Sequence, residues 1–339
     1  MKAIIRRIAL GCLFLAGLAA PAAAAPLETE PFDSVNQSPL VRIFGLPGAG
    51  NFLLLAPGRT EMGLNTILSN NHTVHDNARE EITLDGETAV ATITARHGLF
   101  PRFEVSVKIP YVSHSGGFLD GFIDGYHRTF GFREGGRNLA PRNRLLYRYR
   151  RDGSDRVLLD TSGSGIGDLA LTAAWQLYQS SSARGEKEGL VLNMSLKPPT
   201  GDSDELRGSG STDIALWLTG GAESNFEFGK WTSYGALGML FLTEGKVLPE
   251  QQKNWAAFGS LGLAWRPLNW LAFKIQADAH TPLYSQSDLK ELSAGSVQLI
   301  TGGTLYLSEK TSLDIGVGED LVVNTAPDVS FHLTLRSRF

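Results

Sequence analysis

Val329-Ser330-Phe331-His332-Leu333-Thr334-Leu335-Arg336-Ser337-Arg338-Phe339 closes the chain. Val329, Phe331, Leu333, Leu335, Ser337 and Phe339 fall on one side of this stretch, and Ser330, His332, Thr334, Arg336 and Arg338 on the other. Successive side chains of a strand point to opposite faces, so the pattern makes one strand with an apolar face and a charged face. Its length matches the roughly 9–11 residues that a tilted strand needs to cross a bilayer. The closing strand of a soluble β-sandwich carries the same alternation, so the rest of the chain must separate the two folds.

At the other end, Lys2, Arg6 and Arg7 precede an apolar run from Ile8 to Leu18, followed by the small residues Ala19 to Ala25, interrupted only by Pro21. That order of charge, apolar core and Ala-x-Ala site predicts a secretory signal peptide over residues 1–24, too short in its apolar part to span a membrane. Cys12, the one cysteine, sits inside the apolar core, out of register for a lipobox, and leaves with the signal. No disulfide or thiol chemistry is then expected. The net charge of -4 for the whole chain becomes -7 when the three basic residues go, which leaves no basic face for nucleic acid. No later run of about 18 apolar residues exists, which argues against a helical membrane protein.

Alternation recurs along the rest of the chain. Strands are expected near 60–70, 88–97, 102–112, 166–178, 188–199, 211–221, 229–242, 255–266, 270–280, 296–307, 311–319 and 329–339. It is clearest in Phe103, Val105, Val107, Ile109 and Tyr111 against Glu104, Ser106 and Lys108, and in Leu271, Phe273, Ile275 and Ala277 against Lys274, Gln276 and Asp278. Short connections (97–102, 179–188, 222–228, 267–269, 308–310) alternate with longer ones (71–87, 113–165, 200–210, 243–254, 281–295, 320–328). Transmembrane barrels sort their loops this way, and a sandwich has no reason to. Trp175, Trp231, Trp255, Trp265 and Trp270 fall near strand ends, where interfacial girdles lie, with Trp217 the exception. The expected fold is all-β: a transmembrane antiparallel β-barrel of about twelve strands over 59–339, with a long, partly helical extracellular loop. Residues 25–58 show no strand and form either a periplasmic leader under the barrel or a plug folded into its lumen.

The final strand with its terminal aromatic resembles the C-terminal signal of bacterial outer-membrane barrels. The resemblance implies that Phe331, Leu333, Leu335 and Phe339 address the chain to the barrel-assembly machinery. Asn36-Gln37-Ser38-Pro39-Leu40 with Ile43-Phe44-Gly45-Leu46-Pro47, together with the end of the chain, resembles a proteobacterial outer-membrane family of unknown function over most of the mature length. Gly165-Ile166-Gly167-Asp168-Leu169, Lys197-Pro198-Pro199-Thr200-Gly201-Asp202 and Gly208-Ser209-Gly210-Ser211-Thr212-Asp213 resemble the family grouped with phenol-degradation MetA proteins, over the middle third. That second resemblance implies passage of small hydrophobic compounds across the outer membrane of a Gram-negative cell through a porin-like barrel.

Charges facing lipid cost roughly 2–4 kcal/mol near the midplane, so they should point inward. The lumen is expected to hold Glu61, Glu104, Lys108, Asp168, Lys197, Asp213, Lys274, Asp278, Asp314 and Arg336. In the longest loop Phe118, Leu119, Phe122, Ile123 and Tyr126 recur at helical spacing, which predicts a helix near 117–130. Phe118, Phe122, Ile123 and Tyr126 would then either close the barrel mouth or capture a small hydrophobic ligand. Arg142, Arg144, Arg148, Arg150 and Arg151 follow, facing lipopolysaccharide phosphates or solvent. His332 and Thr334 share a face, but no third catalytic group is identified beside them, and no serine is counted there. Seven scattered histidines and no mature cysteine argue against a metal site. No cofactor and no enzymatic activity are expected, with a barrel lipid hydrolase and a closed structural barrel as alternatives to a passive transporter.

Overall fold

The computed structural model describes residues 27–118, 143–321, 325–327 and 329–339. The signal peptide, Phe122, Ile123, Tyr126, Arg142 and nearly all of the helix expected at 117–130 lie outside these residues. The strands are β1 (Thr60–Asp76), β2 (Glu80–Phe100), β3 (Phe103–Ser115), β4 (Leu146–Arg151), β5 (Ser154–Leu159), β6 (Gly163–Ile166), β7 (Ala170–Ser181), β8 (Lys187–Lys197), β9 (Asp213–Phe226), β10 (Gly229–Leu242), β11 (Trp255–Leu268), β12 (Leu271–His280), β13 (Ser296–Tyr306), β14 (Thr311–Asp320) and β15 (Val329–Arg338). The single helix among the described residues is one turn, α1 (Lys290–Ser293).

Twelve strands close into an antiparallel barrel, in the order β1, β2, β3, β7 and then each successor to β15. β15 returns to β1 in a continuous register from Glu61 opposite Arg338 to Asn70 opposite Val329. Phe339 N–H donates to the Thr60 carbonyl at 2.8 Å, completing the seam. Closure pairs each of these twelve strands on both sides, so the barrel itself has no open edge for a bilayer to penalise. The alternation decides the faces: Lys274 and Gln276 of β12 are buried inside, while Phe273 and Ile275 are exposed outside.

The expected strands are all present, but the long connection differs from expectation. It contains β4, β5 and β6, which extend the barrel wall beyond the expected strand ends: β4 pairs with the start of β2, β5 with β4, and β6 with the end of β3. The β4–β5 hairpin turns on Asp152 (φ 50°) and Gly153 (φ 78°), the Asp-Gly pair that tight two-residue hairpins favour. The connection expected over 71–87 is likewise a hairpin, with β1 and β2 pairing out to Asp76 opposite Glu81. Over this end Leu40, Ile43 and Phe44 pack with Ile82, Tyr147, Tyr149, Leu283 and Tyr284 into a buried apolar cluster.

Candidate functional site

The inward faces of β12 and β9 are polar where a soluble core would be apolar, and an extended chain with unsatisfied backbone groups can satisfy itself against them. Residues 27–58 do so. The first leg ascends along β12 with both chains stepping by two: Lys274 Nζ donates to the Glu30 carbonyl at 3.0 Å, Phe32 N–H to Gln276 Oε1 at 2.9 Å, Ser34 Oγ to Asp278, and Asn36 Nδ2 lies 2.9 Å from His280 Nε2. A turn follows, with the Val41 and Arg42 N–H groups both donating to the Ser38 carbonyl at 2.9 Å. The second leg descends. Gly45 N–H donates to Asp213 Oδ2 at 2.7 Å, Trp217 Nε1 to the Ala49 carbonyl at 3.3 Å, and Leu55 N–H to Glu104 Oε2 at 2.9 Å. Trp217, the tryptophan that fitted no girdle, is therefore a buried lumen residue that holds the segment.

Glycines make room for the second leg. A Cβ on Gly189 would lie 2.0 Å from the Phe52 carbonyl oxygen, and one on Gly221 would lie 2.4 Å from the Phe52 ring. Gly189 and Gly221 oppose each other on β8 and β9, so a gap in the wall receives Phe52.

Nine of the ten charged residues expected inside the barrel stand in ionic groups on the lumen side, and the tenth, Asp278, accepts from Ser34 Oγ and from Gln276 Nε2 at 3.0 Å instead. Lys197 Nζ contacts Asp168, Asp213 Oδ2 at 3.3 Å and Ser209 Oγ at 3.0 Å, while Asp168 also accepts from Gly201 N–H at 2.7 Å and Ser209 N–H at 3.2 Å. The glycine- and serine-rich motifs at 165–169, 197–202 and 208–213 are thus one buried polar network, and through Asp213 it holds Gly45. Lys274 and Arg336 both pair with Asp314, the former at 3.0 Å. Lys108 pairs with Asp33 at 2.6 Å. Glu61 and Glu104 pair with Arg96 at 2.7 and 2.8 Å, and Arg338 joins Glu61 at 2.6 Å and Glu28 at 2.7 Å. Burial works against the charge of Glu30, but Arg96, Arg338 and Arg336 outweigh it and hold this carboxyl well below its usual value of 4.5. Arg96, Arg338, Gln176 and Gln276 were absent from the expected lumen set. Their signal was available in the alternation, which puts each on the polar face of its strand.

Between the segment and the wall formed by β1, β2, β3, β7 and β8 lies a cavity of about 250 Å³. Ile43, Phe44, Leu46, Ile67, Val90 and Trp217 line it together with Arg42, Arg96, Lys108, Glu61, Glu104 and Asp168.

The other expected sites are not brought to this cavity. Phe118 is exposed, its N–H donating to Glu87 Oε1 at 2.8 Å. Arg144, Arg148 and Arg150 pair with Asp85, Asp155 and Glu81 of the same chain. The expectation that no serine stands beside His332 is corrected: Ser330 Oγ lies 2.8 Å from His332 Nε2, because residues two apart on a strand share a face. Neither residue lines the cavity. Phe331, Leu333, Leu335 and Phe339 sit on the outer face of β15, away from the buried Ser330, His332 and Thr334.

The outer surface is an apolar belt. Leu237 and Leu261 are each 73% exposed, and Leu171, Leu216, Ile275, Ile315 and Leu333 lie exposed around the same ring. Trp231, Trp265 and Phe273 stack across three neighbouring strands, with centroids 6.0 and 5.9 Å apart, Trp255 and Trp270 project outward at strand ends, and Trp175 projects outward from the middle of β7. Contiguous exposed apolar surface of this extent requires lipid, and a closed barrel supplies the only β-structure that lipid accepts.

The chain belongs to a family described as protein of unknown function (DUF3187), which matches residues 8–339. No curated protein matches it. Among solved structures it is similar to the COG4313 outer membrane channel from Pseudomonas putida F1, at a TM-score of 0.55 and 14% identity, covering 86% of this chain and 98% of that one. The CymD monoaromatic hydrocarbon channel (13% identity, 91% and 97% covered) and the Pseudomonas putida toluene transporter TodX (10% identity, 91% and 99% covered) align at TM-scores of 0.34 and 0.35, too low to carry weight. The fold is that of outer-membrane channel proteins of Gram-negative bacteria, and with its apolar belt the protein is an outer-membrane β-barrel.

Proposed function

We propose that this member of the DUF3187 family is a passive outer-membrane channel for small, largely apolar molecules, and that residues 27–58 are its plug. The observation that carries this is the cavity of about 250 Å³ between the segment and the wall. A barrel built only for structure has no use for an internal space with buried apolar walls, whereas small-molecule sites are concave, mostly apolar and fixed by a few polar groups. The Pseudomonas putida relative of the same fold is an outer membrane channel, and this analogy supports the same role here. The inward ionic groups would then set the position of the segment and line the route beside it.

A closed barrel is the second reading, favoured by the apolar cluster over the external end. Lipopolysaccharide is the lipid partner such a barrel would meet outside, and the outward Phe331, Leu333, Leu335 and Phe339 are the residues that would engage the assembly machinery. Uptake of radiolabelled apolar and polar solutes by proteoliposomes, with the mature chain and with a variant lacking residues 27–57, separates the two. Apolar uptake that becomes unselective on truncation supports a plugged channel. Absence of flux in both forms leaves the closed barrel.

A further inference from the structure

Six cationic side chains line the cavity. Five of them have a carboxylate partner: Arg96 with Glu61 and Glu104, Lys108 with Asp33, Lys197 with Asp168, Arg207 with Glu205 at 3.1 Å and Arg336 with Asp314. Arg42 is the exception among the described residues. Its Nη1 donates to the Leu206 carbonyl at 3.2 Å, and its buried Nε has no partner among the described residues. Burial pulls its guanidinium down from 12.5 to about 10, so it stays charged at neutral pH. Arg42 is half-buried and attracted by Asp168 without an ion-pair contact, so an anion that meets it directly is favoured.

Two more polar groups of the same cavity are unsatisfied. Gln37 is 3% exposed; its Nε2 donates to the Val35 carbonyl at 2.9 Å, which leaves the buried Oε1 without a donor. Thr94 Oγ1 is buried without a partner on the wall. Ile43, Phe44, Leu46, Ile67, Val90 and Trp217 supply apolar surface to the same space. A guanidinium in contact with no carboxylate among the described residues, set against an apolar wall, describes an amphipathic ligand with a single anionic group. At about 250 Å³ the space falls just below the roughly 300–1,000 Å³ of drug-sized sites.

We propose that this cavity is a binding site for a small amphipathic carboxylate, whose apolar body rests on the aliphatic and aromatic wall and whose anion takes Arg42. This deepens the channel assignment by naming the substrate class, and rests on it only for the route by which the ligand arrives.

The test is isothermal titration of the full mature chain in detergent with benzoate and with benzyl alcohol, which has the same ring and no charge. In the native protein benzoate binds at least about tenfold tighter. Arg42→Gln removes that preference while leaving benzyl alcohol unchanged, and Arg42→Lys keeps part of it. Heat-modifiable migration on gels confirms that each variant is folded, and the comparison in the native protein needs no variant. Equal affinity for the two compounds, or full benzoate affinity in folded Arg42→Gln, overturns the site. Proteoliposome flux is read alongside. Benzoate binding without flux keeps this site and removes the channel; flux of both compounds without a benzoate preference keeps the channel and removes this site.

Discussion

Gln276 and Phe32 are joined twice: Phe32 N–H donates to Gln276 Oε1 at 2.9 Å, and Gln276 Nε2 donates to the Phe32 carbonyl at 3.2 Å. One amide side chain thereby replaces the neighbouring strand that an extended residue would otherwise need. Gln176 does the same for the descending leg, accepting from Leu54 N–H at 3.0 Å and donating to the Phe52 carbonyl at 2.9 Å. The segment is held by its backbone from the inner wall, one glutamine to each leg.

Gln276→Leu leaves the Phe32 N–H and carbonyl buried without these partners, at a cost of about 1–3 kcal/mol for each unsatisfied group. The barrel ladders are untouched. Limited proteolysis should therefore cut the variant within residues 27–36 faster than the native protein, while the heat-modifiable barrel band remains. Equal cutting rates would show that the amide does not hold this leg.

Gly189→Val places a side chain where the Phe52 carbonyl oxygen already lies 2.0 Å from an ideal Cβ. Overpacking of this kind costs about 1–3 kcal/mol, and the descending leg is the part free to move. Planar-bilayer recordings should show single-channel conductance above that of the native protein.

The pairing of Glu30 sets a pH dependence. Its folded value lies below the usual 4.5, so its contribution to holding the segment is complete above about pH 4.5 and is lost as the pH falls from there toward the folded value. Protease susceptibility of residues 27–36 should be level between pH 6 and 8 by this account and should rise under acid. Glu30→Gln should be more susceptible at neutral pH and lose much of the acid response.

Lys197→Met leaves Asp168 and Asp213 as neighbouring buried carboxylates without their cation. Breaking a buried pair in this way costs about 3–5 kcal/mol. The thermal midpoint of the folded gel band should fall well below the native value, and pairing the change with Asp168→Leu should recover part of the loss.

The twelve strands that close the barrel and their faces were legible in the sequence, because a bilayer outside and a polar lumen inside impose a strict period of two, whereas β4 to β6 and the hairpin within 71–87 were not. Lys274 and Phe273 announce their sides by chemistry alone. The C-terminal strand, from Val329 to Phe339, carried that information in eleven residues. Only together with the other strands and their connections did it lead to a closed barrel in the outer membrane with its charges inward. The ring of contacts that fixes residues 27–58 was not legible, since Phe32 and Gln276 stand 244 positions apart and backbone groups carry no sequence signature. Arg42 looked like any other arginine for the same reason. Whether a charge is paired depends on which carboxylates closure of the barrel brings within reach, and only the tertiary structure decided that, among the described residues, Lys197 would have two and Arg42 none.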